Sequence, residues 1–206
     1  MQAKHSRVLE GTKEIPLGGI KLLPGTVAGL LLCLYSDATH EEGVALAGGF
    51  PRDLLHGATP QDVDVALYSM TWGRAEHLIQ KALPVLNPIS VRDGGWRSDY
   101  ADGGDGGIFK GVMSLVGCRG LNGMDLDFNY YDAASLGRVM ESFDFTINQV
   151  GIAYNWPDPE GGPRLGAYLH KDVTWGVNKE VGAGSRLPER CEKMRAKAAH
   201  YGWENV

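Results

Sequence analysis

Two aspartates one residue apart, Asp62 and Asp64, open the run Asp62–Tyr68, DVDVALY. The run alternates with period two and is rich in β-branched residues, which predicts a strand. Side chains on a strand repeat every two residues, so both carboxylates point to one face. Carboxylates held together repel, and each has a raised pKa unless a cation sits between them. Oxygen donors in this pattern suit Mg²⁺, which takes a few carboxylates together with water and phosphate oxygens. Alone, an Asp-x-Asp is more often the solvated face of an edge strand, so its surroundings decide.

Those surroundings are informative. Thirteen residues upstream, Gly48-Gly49 ends a predicted strand and Pro51 opens a helix. Glycine lets backbone approach a ligand closely, and a helix start offers N–H groups to an anion. Further on, Met124–Tyr131 (MDLDFNYY) alternates again and carries Asp125 and Asp127 on one face. Both stand as catalytic candidates beside Asp62 and Asp64, and Asp127 is taken with that pair as a metal ligand. The alternation itself does not choose between them. One is expected within reach of the Asp62–Asp64 pair, the other nearer solvent. A nucleoside triphosphate, two Mg²⁺ ions and three carboxylates make up the two-metal scheme for in-line attack at phosphorus.

Holding these groups requires alternating elements. Thr26–Tyr35 is an apolar helix behind Pro24-Gly25, Gly43–Ala47 a short buried strand, and Pro51–His56 a short helix with proline in its first turn. Thr71–Leu83 is expected to be a helix, Pro88–Val91 a strand, Ala133–Met140 a helix capped by Asp132, and Phe145–Tyr154 a strand. Two more helices are expected at His170–Val177 and Leu187–Tyr201. The stretch Asp93–Gly111 is too rich in glycine for a regular element and is expected to form one long surface loop, with Trp96 and Tyr100 available to stack on a base. Asn155–Pro163 has the composition of a hairpin connection. Strands interleaved with helices give an α+β, or mixed α/β, domain.

The stretch Gly48-Gly49-Phe50-Pro51-Arg52-Asp53-Leu54-Leu55-His56-Gly57, followed by Asp62-Val63-Asp64, resembles the head domain of the poly(A) polymerase and CCA-adding nucleotidyltransferase family. That family reads Gly-Gly-x-x-Arg-Asp-x-x-x-Gly, a short gap, then Asp-x-Asp. Its second motif, Asp-Phe-Thr-Ile-Asn, stands unaltered at Asp144–Asn148. The resemblance runs from Thr26 to Trp203 and implies a nucleotidyltransferase-type fold with a central mixed sheet flanked by helices. It implies that Asp62 and Asp64 bind metal, that Gly48 and Gly49 hold the triphosphate, and that Arg52, Asp53, Asp144 and Asn148 frame the nucleotide. Residues 1–23 would be an N-terminal extension, 24–180 the head, and 181–206 a basic helix like a truncated neck. In that neck Arg190 matches a base-reading arginine, while Leu187 stands where the family has its acidic partner. Ser142 and Phe143 replace the arginines that the family has before Asp-Phe-Thr-Ile-Asn. Stand-alone heads of this kind occur among phage and toxin-like nucleotidyltransferases, which this chain resembles more.

Composition limits the alternatives. The 206 residues carry a net charge of −5, so RNA contacts must be local. Arg186, Arg190, Lys193, Arg195 and Lys197, against Glu189 and Glu192, are one such place; Arg92, Arg97 and Lys110 are another. The three cysteines are far apart, the six histidines never fall at ligand spacing, and neither a Walker motif nor a Gly-x-Ser-x-Gly elbow occurs. No apolar run near 20 residues or leader pattern is visible, so a cytoplasmic protein without a membrane partner is expected. The expected activity is transfer of a nucleoside monophosphate from ATP or CTP to the 3′ end of an RNA, tRNA included. A protein hydroxyl is the alternative acceptor, and a nucleotide-binding interaction protein without turnover is the rival.

Overall fold

The computed structural model describes residues 7–16, 23–93, 107–155, 162–181 and 187–206. In chain order the elements are β1 (Thr12–Ile15), α1 (Gly25–Asp37), β2 (Gly43–Ala47), α2 (Gly49–Leu55), β3 (Asp62–Tyr68), α3 (Trp72–Leu86), β4 (Ser90–Asp93), β5 (Phe109–Cys118), β6 (Met124–Tyr131), α4 (Leu136–Glu141), β7 (Val150–Asn155), β8 (Arg164–His170), β9 (Val177–Asn178), α5 (Pro188–His200) and β10 (Glu204–Asn205). Eight strands form one mixed sheet in the order β1-β8-β7-β2-β3-β6-β5-β4, in which β3 and β6 run parallel and the other neighbours antiparallel. Strands β9 and β10 pair separately. The mixed α/β architecture expected from the sequence is the one observed. No helix among the described residues is long and apolar enough to cross a membrane.

The two sheet faces are covered unequally. Val63, Val65 and Leu67 of β3, with Leu126, Phe128 and Tyr130 of β6, pack into one core with Val27, Leu30, Leu31 and Leu34 of α1 and Ala75, Leu78, Ile79 and Ala82 of α3. Their 3- and 4-residue spacing puts each helix's apolar side chains on one stripe. A buried leucine contributes roughly 1.5–3 kcal/mol. On the other face Ala66, Tyr68 and Tyr131 lie under Leu136, Val139 and Met140 of α4 and Val8 and Leu9 of the N-terminal segment. This second cover sits over the C-terminal halves of β3 and β6. Their N-terminal halves, on the same face, carry the aspartates.

Several boundaries differ from expectation for identifiable reasons. Helix α4 starts at Leu136 because Ser135, not Asp132, is the cap: its Oγ accepts from the Arg138 N–H, while the Asp132 N–H donates to Ile108. Helix α3 runs past Pro84 to Leu86, whose buried side chain anchors the last turn, and Asn87 closes it in the left-handed region at φ 44°. Thr146–Asn148 is a 3₁₀ turn rather than strand, because Thr146 is tied through backbone and hydroxyl to Val177 and Lys179; β7 begins only at Val150. No helix forms at His170–Val177. His170 ends β8, which is paired on both sides, and turns lead from it to β9. The expected long loop ends at β5, since Phe109 and Gly111 already pair with β6. Residues 94–106, including Trp96, Arg97 and Tyr100, lie outside the described residues, as does Arg186. Of the expected hairpin connection Asn155–Pro163, residues 156–161 lie outside the described residues; the strands on either side pair antiparallel, up to Asn155 with Arg164.

The N-terminal segment is built into the fold. β1 forms an edge of the large sheet, and the carbonyls of Val8 and Glu10 accept the N–H groups of Leu136 and Gly137, two donors that a helix start leaves unpaired. This approach is so close that a Cβ on Gly137 would lie 2.5 Å from the Glu10 carbonyl oxygen. Gly137→Ala is therefore expected to destabilise the protein by about 1–3 kcal/mol, lowering the thermal midpoint by roughly 2–10 °C. Gly29→Ala, in open space on α1, should leave it unchanged or raise it; equal losses in both variants would refute the packing argument.

Candidate active site

The parallel register of β3 and β6 sets Asp62 beside Asp125 and Asp64 beside Asp127. Asp62, Asp64 and Asp127 line a cleft of about 660 Å³ on the open part of the sheet face. Asp125 does not. It is exposed, and its Oδ1 accepts the Gly117 N–H at 2.8 Å, which holds it towards the β5–β6 connection. Asp127 is thus the third carboxylate of the cleft. Asp64 is the most constrained of the three: burial first, then the charges of Asp62 and Asp127, push its carboxyl up to about 7, against the opposing effects of the Asn129 amide and Arg52. The Asn129 Nδ2 donates to its Oδ1 over a long 3.4 Å.

The glycine pair faces these acids. Gly48 follows β2 and caps α2 at φ 80°, ψ −122°, a conformation that side chains disfavour, and its carbonyl accepts the Arg52 N–H as the chain turns into α2. A Cβ placed on Gly49 would stand 3.9 Å from Asp64 Oδ2 and 3.6 Å from an Arg52 guanidinium nitrogen, and one on Gly48 would stand 3.9 Å from Phe143. The loop therefore approaches Asp64 closely, with the Phe143 ring on its other side.

The remaining motif residues form one connected network. Arg52 Nε donates to Asp53 Oδ1 at 2.6 Å, and its terminal nitrogen donates to Asn148 Oδ1 at 2.6 Å. Asn148 Nδ2 donates to Asp144 Oδ1 at 3.3 Å, and Arg190 on α5 grips Asp144 with Nε at 2.8 Å and a second nitrogen at 3.2 Å. On the other side Lys197 Nζ reaches Asp53 Oδ2 at 3.0 Å, and the Tyr201 hydroxyl donates to Oδ1 at 3.0 Å. Burial would raise the Asp53 carboxyl; the hydrogen bond and charge of Arg52, with Lys197 and Tyr201, outweigh it and hold the group below its usual value. Beneath the network Met194 and Ala198 of α5 pack on Phe145 and Ile147. The Asp-Phe-Thr-Ile-Asn stretch so presents Asp144 and Asn148 to the cleft and Phe145 and Ile147 to α5, while Thr146 is bonded to Val177 and Lys179.

Arg92 and Lys193 also line the cleft, and neither has a carboxylate partner among the described residues. The cleft therefore combines three acids with two such cations: Lys193 from α5, and Arg92 from the sheet itself, in one cross-strand row with Ser114, Asp127 and Asp64. Asn129 and Tyr131, further cleft residues, share the parity of Asp125 and Asp127 along β6, a signal visible in the sequence; Ser114 enters only because β5 pairs it with Asp127. Among the described residues, no three His, Cys, Asp or Glu side chains are gathered into a ready-made metal cage. The donor set nonetheless fits a hard divalent ion in kind: mutually repelling carboxylates, one with its charge disfavoured, lose that repulsion when a cation arrives.

No protein-family model matches the chain, and no curated protein matches it. Solved structures do. A CCA-adding enzyme in complex with ATP aligns with a TM-score of 0.58 at 16% identity, over 96% of this chain and 43% of that one. The Thermotoga maritima CCA-adding enzyme complexed with tRNA(CCA) gives 0.58 at 17% identity over the same shares, and a tRNA-processing enzyme gives 0.56 at 18% over 94% and 46%. The chain spans less than half the length of these structures. At such identities the likeness establishes the fold, which is the nucleotidyltransferase type.

Asp53→Asn removes one partner from a buried pair and leaves Arg52 without its charge partner. A loss of about 3 kcal/mol in unfolding free energy near neutral pH is expected. A carboxyl held below its usual value contributes stability above 3.8 that is lost as pH falls through its native value. Chemical denaturation should therefore show the variant and the wild type converging in strong acid; a constant gap at every pH would contradict the pairing.

Proposed function

We propose that this protein is a metal-dependent nucleotidyltransferase that moves a nucleoside monophosphate from an NTP, ATP or CTP, to a hydroxyl at the 3′ end of an RNA, with tRNA the first acceptor to examine. The observation that carries this reading is the cleft itself: Asp62, Asp64 and Asp127 on one wall, the Gly48–Gly49 loop against Asp64, and cationic side chains from α5 and β4 on the rims. The similar solved enzymes include complexes with ATP and with CTP, which supports the choice of NTP. In this reading residues 24–180 are the head and 181–206 the neck-like helix.

In the reaction the acceptor oxygen bonds to the α-phosphorus, the bond from that phosphorus to the bridging oxygen breaks, pyrophosphate departs, and the hydroxyl proton goes to solvent. Asp62, Asp64 and Asp127 would hold two Mg²⁺ ions, whose chemistry is to lower the charge on the phosphates and stabilise the attacking and leaving oxygens. The Gly48–Gly49 backbone gives the triphosphate room beside Asp64. Lys193 would supply a charge-assisted contact to a phosphate oxygen, a role the family assigns to arginines where this chain has Ser142 and Phe143. Arg52, bound by Asp53 and Asn148, is held in one orientation at the cleft wall and loses little entropy on contacting a ligand.

An NTP should raise thermal stability only when Mg²⁺ is present. Asp62→Ala with Asp64→Ala should abolish transfer of labelled NMP to RNA and leave the fold intact, since it removes charges that repel. Full transfer by that double variant would sink the mechanism. Lys193→Glu, chosen because Arg190 is engaged by Asp144, should weaken binding of the NTP or the RNA about tenfold and, where RNA is the ligand lost, lower the slope of log affinity against log salt by about one. If no RNA accepts the label while a protein does, the acceptor is a protein hydroxyl.

A further inference from the structure

His56 ends α2 four residues beyond Arg52, and the chemistry above makes no use of it. Both its ring nitrogens are engaged. Nδ1 lies 2.7 Å from the Arg52 carbonyl oxygen, and Nε2 lies 2.7 Å from the Trp203 indole nitrogen. A carbonyl only accepts and an indole N–H only donates, so Nδ1 carries the proton and Nε2 is the acceptor. Only the neutral ring, in that one tautomer, satisfies both neighbours. Its faces are filled as well: Tyr201 stacks on it at 4.3 Å between centroids and 11°, and Trp175 at 5.1 Å and 6°, with Trp203 tilted against it.

This clasp joins three stretches of chain. It brings together the end of α2, the turn before β9 and the C-terminal end of α5. The same Tyr201 that stacks on His56 donates its hydroxyl to Asp53, and Lys197, one turn earlier, holds the other oxygen of that carboxylate. What keeps α5 on α2 thus also keeps Lys197 and Tyr201 on the Asp53 carboxylate, which in turn holds Arg52 at the cleft together with Asn148.

A second proton would go to Nε2, where it would meet the Trp203 N–H head-on: the acceptor is lost and two donors face each other. The charged and titratable groups around the ring are Arg52 and Asp53 on α2, Lys197 and His200 on α5, and Tyr201; Trp175 and Trp203 add no charge. Burial lowers the ring's affinity for a proton, the Arg52 carbonyl bond raises it, the Arg52 charge lowers it and the Asp53 charge raises it, leaving it below the ordinary value of 6.5. Because the docked ring resists the proton that a free ring accepts, docking is fully favoured above 6.5 and is weakened as pH falls from there towards the docked value.

We propose that His56 is a positioning residue: its neutral ring latches the end of α5 onto α2, fixes the Arg52–Asp53 pair at the cleft, and releases both when Nε2 is protonated. The consequence for ligand binding rests on the nucleotidyltransferase reading, whereas the latch does not.

Two measurements on the full chain without nucleotide test the latch. Ring-nitrogen NMR between about pH 8 and pH 5 should find His56 as the Nδ1–H tautomer, titrating below 6.5. Amide exchange along α5, corrected for its intrinsic pH dependence, should accelerate by up to about tenfold per pH unit within the window. An Nε2–H tautomer, or an α5 that keeps its protection through the titration, overturns the proposal. His56→Gln offers Trp203 a carbonyl that does not titrate, so its α5 exchange should be free of the acid acceleration; the same acceleration in that variant overturns the proposal. Trp203→Phe removes the opposing donor and should raise the His56 titration towards 6.5; an unmoved titration there also overturns it. Binding of Mg·ATP should weaken at the acid end in the wild type and not in His56→Gln, and equal weakening in both overturns the coupling to the cleft. Absence of Mg·ATP binding at either end refutes the nucleotide reading alone, and α5 exchange still decides the latch.

Discussion

Strands β3 and β6 lie side by side and parallel, in a register that brings Asp64 next to Asp127, and the rest of the cleft is arranged around the repulsion this creates. Antiparallel neighbours surround the pair within the large sheet. The opposite face of the two strands is filled with Val63, Val65, Leu67, Leu126 and Phe128. A slip of one residue in either strand would carry these side chains to the open face and the aspartates into the core. The hydrophobic core under α1 and α3 therefore enforces a placement of charge that the carboxylates would not adopt by themselves. The strain appears in Asp64, whose carboxyl is pushed up to about 7.

The second organising feature is the way α5 is fastened. Its apolar contacts are modest, with Met194 and Ala198 as its buried residues, and its fixed ends come from polar pairs: Arg190 on Asp144 near the start, Lys197 and Tyr201 on Asp53 near the end. Partly buried pairs of this kind give little net stability, because desolvation offsets attraction, but they penalise any other orientation. Lys193 lies between the two fastened cations and is left for the cleft. The chain then returns, and Glu204–Asn205 pairs with Val177–Asn178. In this molecule α5 is a wall of the cleft as much as an appendage to it.

A likeness of fold at 16–18% identity leaves few individual contacts to inherit. In this chain the site is carried by geometry: a strand–glycine–helix turn, a parallel neighbour for the acidic strand, and a helix closing one side. The closing helix is held by an aromatic cluster as well as by ion pairs. Trp175 and Tyr201 stack on the His56 ring, and the Trp203 indole donates to its Nε2, so the joint is both aromatic and hydrogen-bonded.

Much of this was legible in the amino-acid order because it is local. The period-two runs at Asp62–Tyr68 and Met124–Tyr131 are strands with those very ends, since alternation and β-branching act within a few residues. Helices α1, α2 and α5 follow from apolar spacing and a proline near the first turn. The sequence alone also determined that Asp62 and Asp64 share a face, and that Asp125 and Asp127 do. Which of the latter joins the former was decided by the sheet, through pairing between strands some sixty residues apart and through Gly117, whose N–H holds Asp125 elsewhere. Strands β1 and β8 and the 3₁₀ turn at Thr146–Asn148 were likewise decided by partners distant in the chain, because their hydrogen bonds are satisfied only in the folded sheet. His56 shows the same division most plainly: as one of six scattered histidines it has no local signal, and only the folding of α5 back onto α2 surrounds its ring with the groups that fix its tautomer.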